Sequence, residues 1–109
     1  MSLDFAYFLG TKLRSLWIRE PGIDIYVRRS VRLGVEIDIA TINADEPGKG
    51  AFTRFLDKYE PHHIFYVECI HEPRLVPYLA RRGYQIVNSS EFETNMKGPA
   101  KLYRGSGLP

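Results

Sequence analysis

Two glycines, Gly48 and Gly50, have the clearest potential for chemistry in this chain. Residues 35–51 read VEIDIATINADEPGKGA, which predicts a strand, a Gly-x-Gly loop and the start of a helix. Unpaired amides at a helix N-terminus point at an anion, and the helix dipole favours its negative charge. The order of strand, glycine loop and helix therefore predicts a site for a phosphorylated cofactor.

Three carboxylates lie on the strands predicted around this loop. Glu36 and Asp38 share one face of the strand before it, and Glu68 lies on the next predicted strand. A positioned carboxylate can accept a proton from a reacting amine. Carboxylates on a sheet face also pair with arginines, and Arg28 or Arg32 would serve. The sequence leaves both roles open.

The histidines and the single cysteine give weaker signals. His62 and His63 are neighbours and His71 follows an apolar run, but their spacing does not match a structural metal site. We therefore expect surface histidines and no metal. Cys69 is predicted to be a buried packing residue and not a nucleophile.

The first half of the chain is predicted to form a helix and a hairpin. Apolar residues recur at roughly helical spacing over residues 3–16 and predict a helix there. After a break at residues 20–22, alternation from Ile23 predicts a strand. Gly34 then turns the chain into a second, antiparallel strand over residues 35–42.

The second half predicts a parallel strand pair. The helix after the glycine loop has an apolar face and stops at Pro61, and residues 64–70 form a buried strand. Strand, helix and strand in that order imply a parallel pair. A further helix ends at Gly83, with Pro77 kinking it or delaying its start. Short strands are predicted over residues 84–87 and 97–103, and residues 104–109 are predicted to be frayed.

Length and composition limit the class of protein. The 109 residues predict one domain, residues 1–109. The net charge of +2 gives only weak attraction to nucleic acid or an anionic membrane. One cysteine cannot form an internal disulfide, and the first residues lack a signal-peptide pattern. We expect a cytoplasmic protein without a membrane partner.

Several motifs together resemble the GCN5-related N-acetyltransferase family. The loop from Asp45 to Gly50 is similar to that family's [Gln/Arg]-x-x-Gly-x-[Gly/Ala] loop. The run from Glu72 to Leu75 is similar to its Asn-x-Arg-[Ala/Leu] segment, and Arg82-Gly83-Tyr84 to its Gly-[Phe/Tyr] helix end. The resemblance covers about half of the chain. It implies an α/β (α+β) fold with a mixed central sheet, in which two parallel strands splay apart, flanked by helices.

The resemblance also implies a cofactor site and an activity. Acetyl coenzyme A (acetyl-CoA) would be the co-substrate of an N-acetyltransferase, bound where the parallel strands splay. Its pyrophosphate would rest on the amides of Gly48, Lys49, Gly50 and Ala51, with Arg74 in the following motif also placed at the cofactor.

Catalytic roles follow from the same resemblance. Glu36 begins EIDIAT, which is similar to the strand that carries the catalytic Glu of protein-acetylating members, with Asp38 and Glu68 as competitors. Tyr78 lies next to the position of the family's general-acid tyrosine. A strand amide near Ile42, freed by a bulge, would hold the developing oxyanion.

The acceptor and two other function classes stay open. The amine belongs to a protein lysine, a protein N-terminus or a small molecule. With only about 22 residues before Ile23, the chain resembles a minimal member whose open cleft suits a macromolecular substrate or a completing homodimer. Asp45, Glu72 and Leu79 depart from the family pattern and favour a catalytically silent, protein-binding domain as the alternative. A nucleic-acid-binding module is least favoured.

Overall fold

The computed structural model describes residues 3–99, which form a six-stranded mixed sheet and three helices. The elements follow the chain in this order: α1 (Phe5–Leu9), β1 (Ser15–Glu20), β2 (Ile23–Arg29), β3 (Ile37–Ala44), α2 (Ala51–Tyr59), β4 (Phe65–Ile70), α3 (Leu75–Arg81), β5 (Gln85–Ser89) and β6 (Thr94–Lys97). The strand order is β1-β2-β3-β4-β6-β5. The β3–β4 pair is parallel, and the other described pairs are antiparallel. The predicted mixed α/β class is confirmed.

The central elements agree with the sequence predictions. β2 and β3 form the predicted antiparallel hairpin, although residues 30–36 make its turn longer than expected. α2 buries Phe55, Leu56 and Tyr59, and it ends before Pro61. β4 pairs in parallel with β3, as the strand–helix–strand order predicts.

The three helices pack on one face of the sheet. Alternate strand residues such as Ile25, Ile39 and Val67 point into one apolar core. Phe5 of α1 packs against Phe55 of α2 and Phe65 of β4 in the same core. Arg82, just after α3, donates to Asp57 and Glu60 of the α2 end, so α3 lies beside α2. Among the described residues no helix covers the opposite face, which we call the open face.

The predicted N-terminal helix over residues 3–16 is wrong beyond Leu9. Phe5 and Phe8 do form a buried helical face, but the helix ends at Gly10. Ser15–Glu20 instead pairs along its whole length with β2. Leu13, inside the predicted helix, is 45% exposed. A local apolar period was overridden here by a long-range strand pairing.

The end of the described chain agrees with prediction at α3 and differs from it at the last strand. α3 begins at Leu75, so Pro77 lies in its first turn, where the missing N–H has no intrahelical acceptor in any case. Gly83 follows the helix with φ 96°, as a C-terminal cap requires. β6 ends at Lys97, where a strand was predicted to begin. Residues 100–103 of that predicted strand and the predicted frayed tail, 104–109, lie outside the described residues.

Candidate functional site

The parallel strands β3 and β4 pair only at their beginnings. Ile37, Asp38 and Ile39 are paired with Phe65, Tyr66 and Val67, and the register stops there. Both strands continue, β3 to Ala44 and β4 to Ile70. The two strands therefore diverge beyond Ile39 and Val67.

Bulges in both strands explain the divergence. In β3, Tyr26 and Val27 of β2 oppose Thr41 and Ile39, so Ala40 is the extra residue. In β4, the register with β6 shifts between Val67 and Ile70. A bulge bends its strand and increases its twist. Because both bulges directly follow the last β3–β4 pair, the strands bend at the same level.

Cys69 lies in the β4 bulge with an unusual backbone conformation. Its φ is 56°, in the left-handed region that residues other than glycine rarely adopt. Its amide donates to Asn95 Oδ1 at 2.8 Å. The side chain is exposed, so the prediction of a buried packing cysteine is wrong. Strained residues of this kind cluster at functional sites.

The diverging strands enclose a cleft that we call the wedge. It has a volume of about 500 Å³ and is lined by residues 39–42 of β3 and residues 67–72 at the end of β4, with Leu75 from α3. Small-molecule sites in proteins commonly measure about 300–1,000 Å³. The wedge therefore has the size of a ligand site.

A second cleft, which we call the cradle, lies along the glycine loop. It measures about 430 Å³, and residues 46–53 form its wall together with Arg74 and Tyr78. Ile42, Glu72 and Leu75 line both the cradle and the wedge. The two clefts therefore form one continuous groove.

The N-terminus of α2 faces the cradle without a side-chain cap. Gly50 is the N-cap with φ 80°, and Gly48 has φ 84°, so both positions need glycine. No described side chain bonds to the cap, and the first turn contains no acidic residue. The first amides of a helix have no intrahelical acceptor. This arrangement favours an anion at the loop.

Asp45, the acidic residue at the start of the loop, is neutralised by Arg19 of β1. The two Arg19 Nη atoms donate to Oδ1 and Oδ2 of Asp45 at 2.8 and 2.5 Å. These hydrogen bonds hold the pKa of the Asp45 carboxyl below its usual value. Asp45 does not line the cradle. Its charge is therefore directed away from the anion site and paired.

The cradle itself carries charges of both signs. Lys49 and Arg74 line it together with Glu46 and Glu72. Arg74 donates to Glu72 through Nε and through its backbone amide, each at 3.0 Å, and these bonds lower the pKa of the Glu72 carboxyl. Arg54 donates to the carbonyl of Lys49 at 3.0 Å and so supports the loop from within α2.

Glu36 lies away from the groove. It precedes β3, at the end where the strands are still paired, and its amide bonds to the carbonyl of Ile64. Its carboxylate is 2.8 Å from Nδ1 of His63 and is 54% exposed. The structure thus separates Glu36 from the wedge.

Asp38 lies in an ion-pair network on the open face. Its Oδ2 accepts from Arg32 at 2.7 Å and from Arg28 at 3.3 Å, and the same arginines contact Glu68. Asp38 is only 2% exposed, and its Oδ1 is buried without a hydrogen-bond partner among the described residues. The ion-pair alternative for these carboxylates is thus realised, and of Asp38 and Glu68 only Glu68 lines the wedge.

Tyr78 faces the cradle and not the wedge. Its hydroxyl is 2.5 Å from Thr53 Oγ1 in the first turns of α2. Leu79, which follows Tyr78 and departs from the motif that the sequence resembles, is completely buried in the core. The structure therefore brings Tyr78 together with the glycine loop and Arg74, while Ile42 connects this cluster to the wedge.

Two contributors to the site were not found from the sequence. Arg19 could not be assigned because 26 residues separate it from Asp45. His71, predicted only as a surface residue, lines the wedge. The sequence did contain one signal for this location of His71. The residue directly follows a buried strand that faces the glycine loop.

The chain was compared with known proteins at three levels. No family model, curated protein or solved structure matches it.

None of the helices within residues 3–99 is long and apolar enough to span a membrane. The same residues contain no cluster of three or more His, Cys, Asp or Glu side chains suited to a metal ion.

Proposed function

We propose that this chain is an acetyl-CoA-dependent N-acetyltransferase with a fold of the GCN5-related type. The observation that carries the proposal is the divergence of β3 and β4 after three residue pairs, which opens the wedge beside the glycine loop. The family that the sequence resembles binds acetyl-CoA between two splayed parallel strands. A generic glycine turn between a strand and a helix would not require such a wedge.

The residues of the groove fit the two ends of this co-substrate. The amides of residues 48–51 and the uncapped N-terminus of α2 would hold the pyrophosphate, with Lys49 as a nearby cation. Beyond Ile39, β3 has no pairing with β4. Its free edge offers backbone groups to an extended, amide-containing arm, as a sheet edge does in strand addition.

The bulge at Ala40 supports a catalytic use of the wedge. Acetyl-CoA supplies a thioester whose carbonyl carbon can be attacked by an amine. A backbone N–H turned out of the ladder at a bulge can donate to the oxygen that gains charge in this step. Ala40, Thr41 and Ile42 line the wedge at this bulge.

Calorimetric titration with acetyl-CoA tests the proposal. Gly50→Glu places a negative charge at the N-cap, and Gly50→Gln is the matched control with similar size and the same backbone strain. We expect wild type to bind, and Gly50→Glu to bind at least about tenfold more weakly than Gly50→Gln. Circular dichroism checks that both variants fold. Undetectable binding to wild type at about 1 mM acetyl-CoA would overturn the proposal.

A specific observation also favours the second candidate, a catalytically silent domain that binds a partner protein. None of the three residues proposed for catalysis, Glu36, Asp38 and Tyr78, lines the wedge. Thiol release from acetyl-CoA in the presence of an amine separates the two candidates. Binding without thiol release supports the silent domain, whereas release that depends on the amine supports the enzyme.

A further inference from the structure

Four titratable side chains line the wedge, and two of them are already paired with arginines. They are Glu68, Cys69, His71 and Glu72. Glu68 accepts from Arg28 and lies 3.5 Å from Arg32. Glu72 accepts from Arg74. A carboxylate that already accepts hydrogen bonds from arginine is a weak acceptor for another proton.

Cys69 is also unsuited to accept a proton. Partial burial, together with the carboxylates of Glu93 and Glu68, raises the pKa of its thiol. Its Sγ donates towards Glu93 Oε2 at 3.7 Å. At neutral pH this side chain is therefore a thiol with its proton in place.

His71 differs from these three because a hydrogen bond at one ring nitrogen determines that the other ring nitrogen can accept a proton. Its Nδ1 lies 3.0 Å from the backbone carbonyl of Phe92 in the β5–β6 turn. A carbonyl oxygen can only accept, so Nδ1 carries the proton and Nε2 of the neutral ring carries a lone pair. Among the described residues, no group is bonded to Nε2.

From this geometry we infer that His71 is the general base of the wedge. The inference rests on the proposed function. His71 is oriented by a neighbouring group, as general bases commonly are, and the lone pair on Nε2 of its neutral ring can accept a proton.

In the proposed reaction, His71 carries the proton of the amine to the departing thiolate. The amine nitrogen forms a bond to the thioester carbonyl carbon, and its proton passes to Nε2 of His71. The C–S bond breaks with its electron pair on sulfur. The imidazolium of His71 then returns the proton to the departing thiolate, so an amide and a free thiol are formed and His71 is neutral again.

Several charged or titratable groups lie near His71 along the chain or in the turn that faces it. Glu72 adjoins it in the chain, Glu68 and Cys69 precede it in β4, and Glu93 follows Phe92 in the facing turn. Arg74 lies beyond Glu72. The residues of β3 that line the wedge carry no titratable side chain.

The first test is independent of turnover. Long-range ¹H–¹⁵N spectra of the full chain at pH 8, assigned with His71→Gln, report the tautomer of each histidine. We expect protonated Nδ1 on His71, and a shift of its ring signals when acetyl-CoA is added. His62, after the C-terminal end of α2, is the internal control and should not shift.

The second test measures thiol release with acetyl-CoA and poly-L-lysine as the amine probe. We expect His71→Gln to lower kcat/KM at pH 7 by about 100-fold or more. His62→Gln is the matched control and should retain the wild-type rate. Added imidazole should partly restore His71→Ala.

The possible results separate this inference from the proposed function. If acetyl-CoA shifts the amides of residues 48–51 but not the His71 ring, or if His71→Gln retains at least half of the wild-type rate, the base assignment is wrong and the cofactor site stands. If neither set of signals shifts, the proposed function fails. If wild type binds acetyl-CoA but releases no thiol in the presence of the amine, both the base role and the proposed transfer reaction are contradicted.

Discussion

At the scale of single residues, the Arg19–Asp45 pair determines whether the glycine loop can accept an anion. A carboxylate at the first loop position would repel an anion if its charge were free. Arg19 satisfies both carboxylate oxygens and also lies 3.3 Å from Asp24. The acidic residue therefore serves to tie the loop to β1 and does not block the cradle.

The pair predicts a stability difference that depends on pH. The pKa of Asp45 is lowered in the folded state, chiefly by the Arg19 hydrogen bonds. Its contribution is therefore complete above the unfolded-state pKa of about 3.9 and is lost as the pH falls through the lower folded value. Urea unfolding should show Asp45→Asn to be less stable than wild type at pH 7, with the difference shrinking below pH 4. An unchanged difference at acid pH would contradict a charge-based pair.

His71 shows at the same scale how a role depends on one contact. The residue is exposed, and the sequence places it only after an apolar run. The carbonyl of Phe92, 21 positions away, decides which ring nitrogen can accept a proton. No spacing rule along the chain contains this information.

At the scale of elements, the glycine loop and α2 form one unit. The loop needs left-handed backbone at two positions, and the helix that follows supplies the uncapped amides. A β-carbon at Gly48 would meet nothing within 4 Å. Any cost of alanine there therefore comes from the backbone and not from a steric clash.

This difference gives a stability prediction with an internal control. Gly48→Ala should destabilise the protein by about 1–2 kcal/mol, because L-residues are strained at φ 84°. Gly10→Ala is the control, since Gly10 has φ −84° and its β-carbon would make only ordinary contacts. We expect that variant to be neutral or slightly more stable in urea unfolding. Equal losses for both variants would show that the loop can relax.

At the scale of the whole molecule, the helices lie on one side of the sheet. Within residues 3–99, the open face carries the Arg28, Arg32, Asp38 and Glu68 network, and Trp17 against Tyr26 at a ring distance of 5.3 Å. Glu68 belongs to this network and also lines the wedge.

Trp17 reports whether this face is free in solution. The chain contains a single tryptophan, and its side chain is 49% exposed. Because about half of the side chain is exposed, we expect acrylamide to quench its fluorescence in the folded protein, though less than in the unfolded chain. Strong protection that disappears on dilution would indicate a homodimer over the open face. Protection that does not depend on concentration would contradict an exposed Trp17 on the open face.

The sequence by itself determined the features that depend on neighbouring residues and on the order of the elements along the chain. The glycine loop, the apolar face of α2, the β2–β3 hairpin and the parallel β3–β4 pair follow from short periods and from glycine and proline positions, which act over a few residues. The same local rules extended α1 too far, because they carry no information on the pairing of β1 with β2.

Only the tertiary structure decided where the strands diverge and which side chains meet there. The divergence depends on two bulges made by registers with two other strands, β2 and β6. The pairing of Asp45 with Arg19, the distance of Glu36 from the wedge and the orientation of His71 depend on contacts between residues 21 to 27 positions apart. Such contacts form only when the whole sheet is assembled, so a linear pattern predicts the loop and not its chemical surroundings.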